Sequence, residues 1–170
     1  MEKSEYFSIW TTAFVALVLG FTQGCHSARK QLASAVNVAD PATTIQLIAG
    51  FHGLEGNSWR WTARKFAVTL QPPIGAEEVG AKLRLNLYIP DEQIKKLGPM
   101  TLTAEVNYHS LDPQTFSKSG AYEYTRDVPP DALRSNIIPV VFAVDKASPP
   151  SAAEARELGV VVTSVSLQSK

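Results

Sequence analysis

The sequence has almost no cysteine. Cys25 is the only one in 170 residues, so no disulfide can close within the chain and stability must come from packing. It has no net charge: 16 basic residues balance 16 acidic ones. That leaves no global field to draw the chain onto nucleic acid or an anionic membrane. It lacks an apolar run of the roughly 20 residues that a bilayer-crossing helix needs. Motifs are missing too. G-x-S-x-G, a P-loop, G-x-G-x-x-G and C-x-x-C are all absent, which removes the usual hydrolase, nucleotide-binding and redox frameworks. Internal repeats and low-complexity tracts are also absent. What remains is 45% apolar and 19% charged, the composition of a globular protein with enough chain for one sizeable core.

The longest apolar stretch is I-W-T-T-A-F-V-A-L-V-L-G-F, residues 9–21. It carries no charge and has the length of a secretory h-region, so it is read as a signal helix rather than a core helix. Gly24-Cys25 follows it and resembles a bacterial lipoprotein signal. That resemblance implies cleavage before Cys25 and a diacylglycerol on its sulfur. The resulting organisation is a signal peptide 1–24, a tether 25–42 ending at Asp40-Pro41, and a folded domain 43–170. Thr22 and Gln23 depart from the aliphatic and small residues usual before such a cysteine, and Lys3 is offset by Glu2 and Glu5. Two alternatives stand beside it. Cys25-His26-Ser27 offers a small-x-small site for ordinary secretion, and the apolar run could remain as an uncleaved anchor. The lipoprotein reading ranks first because the sole cysteine sits where lipidation needs it. It places the protein in the bacterial cell envelope, with a secreted or periplasmic protein as the alternative.

From residue 43 the pattern turns to period two. K-F-A-V-T-L (65–70) sets Phe66, Val68 and Leu70 on one face. K-L-R-L-N-L-Y-I (82–89) sets Leu83, Leu85, Leu87 and Ile89 against Lys82, Arg84, Asn86 and Tyr88. T-L-T-A-E-V (101–106) repeats the alternation. Strands buried on one side only are typical of antiparallel sheets. Segments 43–52, 121–126, 137–144 and 160–167 complete the set, Pro139 implying an edge or bulge. The expectation is all-β: an antiparallel, jelly-roll-like sandwich of about seven or eight strands with short helical turns. Residues 90–99 predict a short helix capped by Asp91 and stopped by Gly98-Pro99. Ser151 and Glu154 have capping-box spacing and predict another over 151–159. Residues 129–134 predict a single turn.

Candidate chemistry concentrates in F-H-G-L-E-G-N-S-W-R-W-T, residues 51–62. Trp59 and Trp61 fall on one side of a strand and Arg60 on the other. An indole ring can stack on the apolar face of a sugar, with His52, Glu55, Asn57 and Arg60 as hydrogen-bonding partners. The competing reading makes Trp61, and with it Trp59, a core plug, and pairs Glu55 with Arg60 at the rim. Tyr108 and His109, in N-Y-H-S-L-D-P, form a second cluster at a strand end, where the competing reading is an ordinary turn. His52, Glu55 and His109 could act as metal ligands only if the fold brought them together. Glu55, Asp112, Glu123 and Asp127 are the acids from which a glycosidase pair would have to come, but the loops of any sandwich carry acids like these. No metal and no cofactor is predicted.

The blocks G-F-H-G-L-E…W-R-W-T and R-E-L-G-V-V-V-T-S-V-S-L (156–167) resemble those of a group of bacterial β-sandwich domains of galactose-binding type. Such domains are found attached to glycosyltransferases and methyltransferases of surface-glycan synthesis. The resemblance covers roughly 44–168. It matches Gly50, Phe51, His52, Glu55, Arg60, Trp61 and Thr62 in the first block, and Arg156, Leu158 and Gly159 in the second. It implies a jelly roll, and a charge network of Glu55, Arg60 and Arg156 that fixes it. This chain carries no catalytic domain beside the sandwich, so an accessory role to an attached enzyme is not carried over. The expectation is a non-enzymatic domain, tethered to an envelope membrane through its N-terminal lipid, that binds a surface glycan. The alternatives are an assembly protein that binds another envelope protein and, last, a hydrolase. No nucleic-acid partner is expected.

Overall fold

A computed structural model describes residues 32–170. The expected signal peptide, Cys25 and most of the tether lie outside the described residues. Among the described residues there are nine strands: β1 Ala35–Asn37, β2 Leu47–Glu55, β3 Trp59–Leu70, β4 Ala81–Ile89, β5 Met100–Val106, β6 His109–Phe116, β7 Gly120–Val128, β8 Ile138–Val144 and β9 Val161–Ser169. Two short helices, α1 Ala76–Val79 and α2 Asp91–Leu97, lie in connections, with single 3-10 turns at Thr44–Gln46 and Pro130–Leu133.

All pairings are antiparallel, and the strands run in the order β6-β5-β8-β3-β9-β4-β7, with β2 added on β3 and β1 on β9. The long strand β3 joins the two layers. Residues 65–70 pair with β8, whereas Arg60 and Trp61 pair with Val162 and Val161 of β9. The result is an antiparallel, jelly-roll-like sandwich whose end strands β6 and β7 nearly meet.

The core follows the period-two pattern. Phe66, Val68, Leu70, Leu83, Leu85, Ile89, Leu102, Val140 and Phe142 are all fully buried. Phe66 stacks on Phe142 at 5.1 Å and meets Phe51 edge-on at 5.4 Å, and Tyr124 approaches Phe142 edge-on at 6.5 Å. Among the described residues the strands share one apolar cluster that runs from Val36 to Leu167, and residues 31–170 form one compact unit. This stretch therefore carries its own fold.

Side chains close the β6–β7 seam in place of a backbone ladder. The Tyr124 hydroxyl donates to the Asp112 carbonyl at 2.8 Å, and Arg126 donates to the carbonyls of Asp112 and Pro113, each at 2.8 Å. Arg126 also lies 4.5 Å over the Tyr124 ring. Pro113 has no N–H to offer a ladder, so the guanidinium supplies the donors.

Several sequence expectations need correction. The segment 107–113, read as a cluster at a strand end or as an ordinary turn, is a two-residue turn followed by the first part of β6, because only 107–108 are needed to reverse the chain. Asn107 and Tyr108 both adopt positive φ, 45° and 69°, the signature of a tight two-residue hairpin. The 35–38 part of the tether is folded: β1 pairs with β9, and Val36 and Val38 are fully buried. Strand β3 starts at Trp59 rather than residue 65, and the second strand starts at Leu47 rather than residue 43. Asp91 lies in the first turn of α2 and does not cap it; Pro90 holds that position. Ser151 and Glu154 make the capping contact, Glu154 N–H to Ser151 Oγ at 3.2 Å, but no helix follows. Instead Ser148 and Leu158 form an isolated antiparallel bridge. The predicted turn at 129–134 is the 3-10 turn Pro130–Leu133, which buries Ala132 and Leu133.

Candidate functional site

The outward-facing side of β3 is set by its alternation. Thr62, Phe66, Val68 and Leu70 are buried, so the odd positions Trp59 and Trp61 face outward. Trp61 is half-buried, not a core plug. Its ring lines a cleft of about 190 Å³ together with Pro90, Glu92, Gln93 and Lys96 around α2, and Ser148, Glu154, Arg156 and Leu158 of the following wall. That volume is well below the roughly 300–1,000 Å³ of a drug-sized site and suits a single small ring.

Hydrogen bonds fix the cleft wall. Thr62 N–H donates to the Val160 carbonyl at 2.8 Å and Gly159 N–H to the Thr62 carbonyl at 2.7 Å. The buried Thr62 hydroxyl donates to the Val160 carbonyl at 3.1 Å and accepts from Val160 N–H at 3.2 Å. Gln93, the buried residue of α2, donates to the Leu158 carbonyl at 2.9 Å and accepts from the Ser148 hydroxyl at 2.8 Å. His52 Nε2 lies 2.7 Å from the Glu157 carbonyl. A carbonyl only accepts, so this nitrogen carries the hydrogen.

Charge at the cleft is concentrated on Arg156. Its Nε and Nη2 donate to the two oxygens of Glu154 at 2.9 and 2.8 Å, and its Nη1 donates to Glu55 at 2.6 Å. The forked geometry is the strong form of this pairing. The Arg156 side chain and backbone N–H hold the Glu154 carboxyl at a pKa of about 2, and the same contacts raise that of Arg156. Glu154 is therefore a carboxylate at neutral pH and cannot hand a proton to a leaving group. The three side chains are each about one-third exposed, at 34–35%, so they are both oriented and reachable.

The residues singled out in the sequence divide among three places. Trp61 lines this cleft, Glu55 is tied to it through Arg156, His52 braces its wall, and Trp59 sits opposite Glu55 in the β2–β3 hairpin. Arg60 points the other way and donates to the carbonyls of Val38 and His52, both at 2.9 Å. It is not paired with Glu55, whose partner is Arg156. Asn57 is an exposed hairpin-tip residue with φ of 53°. Tyr108 and His109 lie on the β5–β6 hairpin, at the opposite end of the strands from Trp61. The set His52, Glu55 and His109 is thus not brought together. Among the described residues no three His, Cys, Asp or Glu side chains converge on a point that could hold a metal. Glu123 pairs with Arg84 and Asp127 with Lys170, both away from the cleft. Sequence reasoning missed Glu92, Gln93, Lys96, Ser148 and Glu154, which reach the cleft from segments distant in the chain.

No protein-family model matches the sequence, and no curated protein is similar to it. Solved structures of similar architecture include three carbohydrate-binding modules. One is the CBM36-1 domain of a multidomain xylanase from the hindgut metagenome of Trinervitermes trinervoides, at 9% identity over 71% of this chain and 90% of that one, TM-score 0.40. The second is a CBM36 module in complex with calcium and xylotriose, at 5% identity over 79% and 98%, TM-score 0.41. The third is the mannan-recognising module TmCBM27, at 13% identity over 80% and 95%, TM-score 0.45. Likeness at this level says nothing about what this chain binds.

Proposed function

We propose that the protein is a non-enzymatic β-sandwich, held at a bacterial envelope membrane by its N-terminal segment, that binds one sugar unit of a surface glycan in the Trp61 cleft. A single arrangement carries this reading: an outward-facing indole beside a guanidinium and two carboxylates already fixed in orientation. A sugar ring presents an apolar C–H face and an edge of hydroxyls. The indole suits the face. The Glu55–Arg156–Glu154 triad suits the edge, because its donors and acceptors cost little further ordering on binding. The hydrolase reading lacks a positioned acid–base pair: of the two carboxylates lining the cleft, Glu154 is held ionised by Arg156 and Glu92 stands exposed on α2.

The test is a glycan-array screen of residues 31–170, wild type beside Trp61→Ala. Covering about 80 Å² of indole contributes roughly 2 kcal/mol at ~25 cal/mol/Å², so the substitution is expected to weaken binding about thirtyfold. Equal binding by Trp61→Ala would move the site elsewhere, with Tyr108→Ala the next variant. A folded domain that binds no printed glycan would favour the alternative, an assembly protein.

A further inference from the structure

Four of the eight large apolar side chains exposed among the described residues lie at one end of the sandwich. Ile74 is fully exposed, Tyr108 is 87% exposed, Val79 59% and Ile137 54%. They belong to three separate connections, β3–β4, β5–β6 and β7–β8, which all lie at one end of the sandwich. Direct contacts tie these connections together. Asn107 donates to the Ala132 carbonyl at 3.1 Å and its N–H to the Pro139 carbonyl at 2.9 Å. Gly80 sits against the Val128 carbonyl and Pro130. The described chain also begins here. Leu32 and Ala33 share a hollow of about 470 Å³ with Pro72, Pro73 and Ile74, and Gln71 N–H donates to the Ala33 carbonyl at 3.1 Å.

We infer that this end is a membrane-contacting face, with Ile74, Val79, Tyr108 and Ile137 entering the interfacial region of a lipid bilayer. The inference rests on the anchoring part of the proposed function and not on glycan binding. Length supports it. From Cys25 to Leu32 the chain spans at most ~25 Å even fully extended, whereas β3 alone runs roughly 35 Å at ~3.3 Å per residue. A domain held at Cys25 therefore has its Leu32 end within ~25 Å of the anchor point, and the Trp61 cleft lies toward the other end of β3. Composition supports it too, since aliphatic side chains with a tyrosine suit the boundary between hydrocarbon and water. Charge gives no competing attraction. Asp131 is paired with Arg134 and Asp127 with Lys170, while Glu77 and Glu78 leave the end slightly acidic. The contact is thus with apolar lipid and does not need anionic headgroups.

The test uses the absence of cysteine from residues 31–170. Single cysteines at Ile74, Ile137 and, as control, Leu54 at the far end are labelled with an environment-sensitive fluorophore. Each domain, its fold checked by circular dichroism, is tethered by an N-terminal histidine tag to phosphatidylcholine vesicles containing a nickel-chelating lipid. The expected result is blue-shifted emission at 74 and 137, quenched by nitroxide-labelled lipid, with the label at 54 unchanged. Labels at 74 and 137 as wet as that at 54 would overturn the inference even if glycan binding holds. A concentration-dependent shift at 74 without vesicles would also overturn it, assigning the face to contact between copies of the chain.

Discussion

Replacing Gly159 by alanine adds one methyl group, and the surroundings decide its effect. The φ of Gly159 is not in the left-handed region, so the backbone itself accepts a side chain. A Cβ there would lie 2.7 Å from the Ala63 carbonyl oxygen and 3.0 Å from the Thr62 hydroxyl. The nearer obstacle is backbone and cannot rotate away. Forcing a methyl into such a place costs about 1–3 kcal/mol, offset by the ~0.4–1 kcal/mol that a Gly→Ala change gains from a less flexible unfolded chain. Gly53→Ala makes the same chemical change where nothing lies within 4 Å of the new carbon, so only the gain remains. Gly159→Ala should therefore lose about 1 kcal/mol or more and Gly53→Ala should gain about 0.5 kcal/mol. Urea unfolding at constant m separates the two midpoints by about 1 M. Because the clash pushes the 156–158 wall off β3, Gly159→Ala should also weaken glycan binding. Midpoints that coincide, or that rise in both variants, would refute the reasoning that 159 is a close backbone contact.

Other perturbations test other parts. The Glu154 carboxyl lies at about 2 in the folded protein against 4.5 in the free side chain. Its folded value is depressed, so the stability it contributes is present above about pH 4.5 and lost as pH falls toward 2; urea midpoints across that window should fall more steeply in wild type than in Glu154→Gln. At the β6–β7 seam, Arg126→Ala removes the donors to the Asp112 and Pro113 carbonyls and should destabilise by about 1–3 kcal/mol. Tyr124→Phe should cost less in the same unfolding assay, since Arg126 still donates to Asp112. Burial raises the Tyr124 hydroxyl to about 12, so stability should decline as pH rises past 10, and this loss should be absent in Tyr124→Phe.

The fold was largely legible because one-sided burial writes itself as alternation. Leu83, Leu85, Leu87 and Ile89 lie on the core side of β4 as their spacing requires. The outward position of Trp61 was legible as well. Extending the phase of Phe66, Val68 and Leu70 back along β3 puts 61 on the solvent side, so the general tendency of tryptophan to bury should have yielded to parity. Strand β6 was hidden because H-S-L-D-P-Q-T-F has an edge strand's composition: one buried residue, Phe116, and a proline that looks like a turn. The Ser151–Glu154 pair was misleading for a different reason. A capping contact satisfies backbone groups locally, but a helix also needs an apolar stripe, and A-A-E-A-R-E-L-G offers only Leu158. The cleft was only half legible. Trp61 and Glu55 stand out in sequence, while Gln93, Ser148 and Glu154 join them through tertiary contacts that no local spacing encodes.

The two sequence blocks behind the resemblance meet in space. Glu55 is paired with Arg156, Thr62 is hydrogen-bonded to Gly159 and Val160, and His52 is bonded to Glu157. Most of the matched residues therefore serve one joint, where β3 passes from one layer of the sandwich to the other and the 148–158 wall is fixed onto its outer face. Gly50 serves the same strand: its φ of 73° lies within the bulged pairing of β2, where a Cβ would come 2.1 Å from the Lys65 carbonyl. A joint of this kind does not by itself define a ligand, and it would be equally at home in domains that bind nothing. What distinguishes this chain is the residue the joint presents. The wall closes against Trp61 without covering it, and Arg156 keeps about a third of its surface after pairing with both acids. If the joint were only structural, Trp61→Ala and Arg156→Gln would change stability alone. If it is also a site, Trp61→Ala should lower glycan affinity while leaving the urea midpoint nearly unchanged, because the ring lies on the outer face and contributes little to the core.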